Sequence, residues 1–274
     1  MIEITSTANP RVKEIKSLAN RKEREASGKA FIEGLRIAIE AIDAQVEVET
    51  LVYCEQLLTS QPGREALARF AQRQPEKVLS VSENVFRALS GKDGPQGLGA
   101  VIQQRWYQLN QVNLDSGQVI LALDEPADPG NLGTILRTAD SAGVETVILL
   151  DHSTDPYDPT AIRASMGAIF NIQLIRSTLM DFLSWKNQNG IYLAGAAGGE
   201  GVDYHVARYP EPMVLIMGSE REGLSAAHKA ACDQLVSIPM YGRSDSLNLA
   251  MATGIILYEI VNQWRDIKEG KAIR

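Results

Sequence analysis

The chain has 274 residues, 45% hydrophobic and 22% charged, which excludes a disordered, collagen-like or disulfide-scaffold protein and leaves room for one large or two ordinary domains. Lys and Arg number 27 against 34 Asp and Glu, a net charge of −7 that argues against a generally basic nucleic-acid binder but leaves a local basic face open. No run of 18 apolar residues occurs, the first residues lack a basic-then-apolar leader, and Cys54 and Cys232 are the only cysteines, so the expectation is a cytoplasmic protein off the membrane, without structural zinc.

In chain order, helices are expected at 11–25, 35–44, 64–73 and 83–89, and strands at 31–33, 46–53, 77–81 and 99–103. Residues 1–36 carry eight basic and five acidic side chains, so this segment is +3 and the rest −10. On the first helix Lys13, Lys16 and Arg24 share a broad face. Residues 108–117, polar and containing Asn, Asp, Ser and Gly, read as a linker between domains at 1–107 and 118–274. The apolar run 119–123 is a strand buried on both faces. A turn at 124–130 leads to a helix at 131–142 closed by Gly143, then a second buried strand at 144–150. Strands at 169–175, 191–194, 214–217 and 235–238 follow, with helices at 179–187, 225–231 and 245–264. This alternation predicts an α/β fold, a mostly parallel sheet with helices on both faces.

Ligands of open α/β sheets bind beyond the carboxyl ends of the strands, and three such ends carry unusual loops. In the first, Asn131 is placed to cap a helix on which Thr134, Arg137 and Ser141 form a stripe. Apolar neighbours (Ile135, Leu136, Ala139) put Arg137 in a partly buried setting that needs an anionic or carbonyl partner. In the second, a strand runs into Gly218, where a ligand can approach the backbone; Glu220, Arg221 and Glu222 follow, and Ser225 can cap a helix. It is neither a GxSxG elbow nor a phosphate-binding GxxxxGK[ST] loop. In the third, Ser246 and Asn248 open a long helix whose first N–H groups are available to a ligand, and whose Ala250, Ala252 and Gly254 permit close packing.

Two other enzyme classes fit less well. The glycine-rich run 194–201 lacks the helix and acidic residue of a dinucleotide site and reads as a loop. Metal-dependent hydrolysis would need Asp124, Glu125 and Asp128, or Asp151, His152, Asp155 and Asp158; both sets sit with prolines in turns where Asp is common for backbone reasons, so no metal is expected.

Together the three loops resemble the motifs of the SPOUT methyltransferases, specifically the TrmH/SpoU family of RNA ribose 2'-O-methyltransferases. Asn131, Gly133, Arg137, Thr138 and Ala139 match the first motif; Gly218, Ser219, Glu220, Gly223 and Leu224 the second; Ile238, Pro239, Met240, Gly242, Ser246, Leu247 and Asn248 the third. Residues 161–168 also resemble a family stretch, while Leu249-Ala250 stand where the family often has Val-Ser. Residues 4–13 and 31–36 resemble the SpoU-type substrate-binding domain, a small α/β RNA-binding fold.

The resemblance implies S-adenosyl-L-methionine as methyl donor, a C-terminal trefoil knot and a homodimer through the catalytic domain. It assigns the cofactor to Met217, Gly218, Ile238, Met240 and Leu247, and the reaction to Arg137, Asn131, Glu220, Ser246 and Asn248. The family's arginine is a proposed base, but a guanidinium stays protonated, so Arg137 is expected to bind the RNA phosphate and steady the developing alkoxide. Asn131 is expected to orient Arg137 or the ribose, Glu220 to anchor the second loop, and Ser246 and Asn248 to contact the ribose or Arg137. Arg11, Lys13, Arg36 and Arg163 are expected to meet RNA, with Arg221 and Arg243 near the loops. The extra N-terminal domain favours ribosomal RNA over tRNA. A tRNA 2'-O-methyltransferase and a non-catalytic RNA-binding protein with the same fold are the alternatives.

Overall fold

The computed structural model describes residues 3–91, 93–114 and 118–269, so residues 115–117 of the expected linker lie outside it. The chain forms two compact units: Met1–Gln104 with Asp155–Phe170, and Arg105–Thr154 with Asn171–Arg274.

The first unit opens with helix α1 (Pro10–Ser17), where the Asn9 side chain accepts the Arg11 N–H and Pro10 pre-sets the first turn. The expected single helix at 11–25 is in fact two. Asn20 takes extended geometry and accepts the Lys22 N–H, capping a new helix α2 (Arg21–Ser27). The break turns Arg24 away from Lys13 and Lys16. It is 1% exposed, with Nε 2.7 Å from Asp155 Oδ2 and Nη1 donating to the Leu18 and Ala19 carbonyls. A guanidinium is tolerated there only because its donors are matched. Then come β1 (Lys29–Glu33), α3 (Leu35–Asp43), β2 (Val48–Tyr53), α4 (Gln61–Arg73), β3 (Val78–Ser80), α5 (Glu83–Leu89) and β4 (Leu98–Gln103). The sheet order is β1-β4-β2-β3; β4 runs antiparallel to both neighbours, and β2 and β3 are parallel. Val12 and Ile15 of α1 and Val85, Phe86 and Leu89 of α5 pack with Val52 and Val101 on one core.

The second unit begins at β5 (Val119–Asp124), followed by α6 (Pro129–Ser141) and β6 (Thr146–Leu150). The chain then supplies α7 (Pro159–Ser165) to the first unit. Its start signal, Asp158 accepting the Thr160 N–H with Pro159 in the first turn, reads on sequence as a mere turn. Next come β7 (Gln173–Ser177), α8 (Leu179–Gln188), β8 (Tyr192–Ala196), β9 (Val202–Asp203), β10 (Met213–Met217), α9 (Ala226–Ala231), β11 (Gln234–Ser237) and α10 (Leu249–Lys268). The strand expected at 169–175 is shifted, because Ala168–Phe170 form a 3-10 turn before β7. α10 starts after residue 245, since Asn248 caps it.

All seven strands are parallel, in the order β7-β6-β5-β10-β8-β11-β9. Every residue of β5, β6 and β10 is buried, as near-continuous apolar runs require in a sheet covered on both faces. Successive strands step one way from β5 through β6 to β7, while β10 lies on the other side of β5. The order therefore reverses between β5 and β10.

Candidate active site

Leu123 of β5 pairs with Met217 of β10, so the loops leaving these strands start side by side. In the first loop Asp128, not Asn131, caps α6: its Oδ1 accepts the Asn131 N–H at 2.6 Å. Pro129 at the first helical position moves the cap one step before itself. The Asn131 amide is thereby released from capping, and its Nδ2 donates to Glu220 Oε1 at 3.1 Å.

The second loop closes on itself. Ser219 and Gly223 exchange backbone hydrogen bonds of 3.2 and 3.0 Å, with Gly223 at φ 65°. A Cβ on Gly218 would strike the backbone of Gly223 and Leu224, so its missing side chain first serves the loop's own packing. The Glu220 carboxylate accepts the Ala127 N–H at 3.0 Å and the Asp128 N–H at 3.3 Å. Burial alone would raise its pKa; the donors from Ala127, Asn131, its own backbone and Asp128 outweigh that, and it falls below the usual glutamate value.

In the third loop Asn248 caps α10, its Oδ1 accepting from Ala250 and Met251 N–H at 2.9 and 3.3 Å. Those amides are thus satisfied internally rather than offered to a ligand, contrary to the sequence expectation. Asn248 Nδ2 donates to Asn131 Oδ1 at 2.9 Å. Ser246 is exposed and its Oγ donates to Asp245 Oδ1 at 3.4 Å. Gly254 lets α10 approach α6: a Cβ there would lie 3.3 Å from Thr138 Cγ2.

A cavity of about 690 Å3 opens among these loops. Asn131, Met217, Gly218, Glu220, Ile238, Met240, Ser246, Leu247 and Asn248 line it, and Ala196, Ala197 and Gly198 from the glycine-rich run complete one wall. Arg137 is not in the lining. It is exposed, not partly buried, because Leu132, Ile135, Leu136 and Ala139 take the inner face of α6 and leave Thr134, Arg137 and Ser141 on the outer one. Among the described residues no side chain pairs with its guanidinium, and Asn131 turns to Glu220 and Asn248 rather than to it. In the first unit Arg11, Lys13 and Arg36 are exposed, and Arg163 is half-buried with Nη2 3.3 Å from Thr160 Oγ1.

Sequence reasoning missed His228 of α9. Its Nδ1 lies 3.1 Å from Asp124 Oδ2, and both groups are buried. Burial raises the Asp124 pKa; His228 works against this, while Glu125 and Asp151 add to it. Asp124, Asp151 and His228 bring ligand-type atoms within 4.8 Å of one another, a grouping unlike either metal set weighed on sequence. Nothing in the spacing of these residues announces it.

Comparison with known proteins places this geometry. Residues 118–258 match the SpoU rRNA Methylase family, and residues 9–100 match the MRM3-like substrate binding domain. The 23S rRNA (guanosine(2553)-2'-O)-methyltransferase RlmP of Bacillus subtilis is 30% identical over 268 residues, covering 95% of this chain and 99% of the relative. The crystal structure of an AdoMet-bound rRNA methyltransferase from Sinorhizobium meliloti superposes with a TM-score of 0.88 at 37% identity, covering 96% of this chain and 98% of that one. The SpoU methyltransferase AviRb of Streptomyces viridochromogenes, in complex with AdoMet, has a TM-score of 0.83 at 30% identity, covering 94% and 98%. The chain, with its parallel sheet and its three converging loops, belongs to the SpoU rRNA methylase family.

Proposed function

We propose that the protein is an enzyme that transfers a methyl group from S-adenosyl-L-methionine to a ribose 2'-OH of ribosomal RNA. The observation that carries this reading is the hydrogen-bonded chain Glu220–Asn131–Asn248, which ties all three loops together on the rim of one cavity. The cavity volume of about 690 Å3 is within the range of small-molecule sites. Its apolar side chains (Met217, Ile238, Leu247) and loop backbone suit a nucleoside-sized ligand that needs a flat slot plus main-chain partners. Similar structures hold AdoMet, and the RlmP relative acts on 23S rRNA.

When bound, the cofactor supplies an electrophilic sulfonium methyl. The chain's own residues must aim the ribose oxygen and manage its charge. Glu220 locks the first loop through two backbone amides and Asn131. Asn131 and Asn248 hold the start of α6 against the start of α10. Arg137 is exposed on α6, and its planar guanidinium is suited to hold the RNA phosphate and to stabilise charge on the attacking oxygen. Arg11, Lys13 and Arg36 serve RNA from the N-terminal domain, which we place at residues 1–107 with a linker over 108–117, and Arg163 serves it from α7. The −10 charge elsewhere keeps RNA off other surfaces.

We further infer a homodimer through the catalytic domain. Met251 and Tyr258, seven residues apart on one face of α10, are 61% and 44% exposed. A Met251→Asp, Tyr258→Asp variant should run as a monomer in light scattering where the wild type runs as a dimer. The C-terminal knot is supported by the loop after β11, which returns from that strand to the start of α6, where Asn248 meets Asn131. No helix among the described residues is long and apolar enough to cross a membrane, and ribosomal RNA as substrate argues for the cytoplasm. Incubation with methyl-labelled S-adenosylmethionine and separate ribosomal and transfer RNA pools tests the reading. Label is expected in ribosomal RNA; label confined to transfer RNA selects the alternative substrate, and no transfer contradicts the activity.

A further inference from the structure

His228 and Asp124 stand outside the chemistry above. They are 5% and 7% exposed, and neither lines the cavity. His228 Nδ1 lies 3.1 Å from Asp124 Oδ2 and 2.7 Å from Ser225 Oγ. Its Nε2 is buried without a hydrogen-bond partner among the described residues. This asymmetry selects the tautomer. A proton on Nε2 would be a buried donor with no acceptor, which costs more than a bare lone pair. A proton on Nδ1 has the Asp124 carboxyl to receive it, and Ser225 Oγ, which accepts the His228 backbone N–H at 3.2 Å, lies beside it.

The pair joins the roots of two loops. Asp124 ends β5, and the residues that follow include Ala127 and Asp128, whose N–H groups bind Glu220. His228 lies in the first turn of α9, directly after the loop that carries Glu220. The loops are thus clamped at the tip by Glu220 and at the root by the imidazole. We propose that His228 is a positioning residue for methyl transfer: its Nδ1–H, donated to Asp124, holds the β5–α6 and β10–α9 loops in the register in which Glu220 meets Asn131. The proposal rests on the methyl-transfer reading, and its test separates the two.

Three substitutions divide the roles. His228→Leu keeps bulk and removes the donor. His228→Asn returns an N–H at the Nδ1 position, and His228→Gln places one at the Nε2 position, where no acceptor waits. In a misplaced site, kcat is expected to fall about 10- to 100-fold for the Leu and Gln variants and to recover to within about threefold for Asn, with S-adenosylmethionine affinity changed less than about threefold. The imidazole 15N spectrum of the wild type should show the proton on Nδ1. The Asn131 side-chain amide resonances should shift in the Leu variant and return in the Asn variant, a readout independent of turnover. Wild-type kcat in the Leu variant, equal losses in all three, or a proton on Nε2 would overturn the proposal. A wild-type enzyme that transfers no methyl group would contradict the functional reading instead, and the amide spectra would still report whether His228 holds the loops.

Discussion

Asn248 donates its side-chain N–H to the Asn131 side-chain oxygen at 2.9 Å across 117 residues of sequence. The same Asn131 passes its own N–H to Glu220. One amide, accepting at one end and donating at the other, therefore sets the relative position of three loops. Asn131→Ala breaks both bonds, and an expected loss of about 100-fold in kcat follows from the resulting misalignment. Asn131→Asp should be worse, because it faces the Glu220 carboxylate with a like charge in place of a donor. Steady-state kinetics with ribosomal RNA checks the order wild type, Ala, Asp.

Arg137 is exposed and outside the cavity lining, so its removal should spare folding and the cofactor. Arg137→Ala is expected to change stability by no more than about 0.5 kcal/mol and to abolish methyl transfer. Lys at this position keeps the charge but loses the fork that grips a phosphate, so Arg137→Lys should retain only a small part of the activity. Thermal unfolding, calorimetric titration with S-adenosylmethionine and turnover measured together distinguish this from a structural role. Near-wild-type turnover of the Ala variant would remove Arg137 from the mechanism.

Gly218→Ala should act through the second loop alone. The added carbon meets backbone atoms of Gly223 and Leu224, which cannot swing aside as a side-chain tip would. The Ser219–Gly223 turn must open, and S-adenosylmethionine affinity should fall at least about tenfold, with the displacement of one cavity wall as its cause. Calorimetry on the purified variant reads this directly.

Glu220 sets an acid limit. Its folded pKa lies below its unfolded value, so its contribution to stability is present above the unfolded value and is lost as pH falls through the folded one. The thermal stability of wild type and Glu220→Gln should differ most near neutral pH and converge in acid. Parallel curves across that window would show that the carboxylate's charge carries no part of the loop anchor.

Much of the catalytic unit was legible because its strands are unbroken apolar runs. Residues 119–123 and 214–217 have no polar side to hide, and both are buried strands extended by one residue. The three loops were legible because Asn131, Glu220 and Asn248 stand at strand ends in recognisable motifs, and the structure places all three on one cavity. Single-residue chemistry was not. Asn20 splits one amphipathic stretch into two helices and buries Arg24, and Asp128 takes the cap that Asn131 was expected to hold. The Arg137 environment is not legible because its apolar neighbours in sequence lie on the opposite face of the helix. His228 and Asp124 belong to elements joined only by the fold, and neither carries a local pattern.

The most direct measurement locates the transferred methyl group. Ribosomal RNA labelled by the enzyme and then hydrolysed in alkali should yield the label in one uncleaved dinucleotide, because a methylated 2'-oxygen cannot attack the neighbouring phosphate. Label recovered in single nucleotides would place the methyl group on a base and contradict ribose 2'-O transfer.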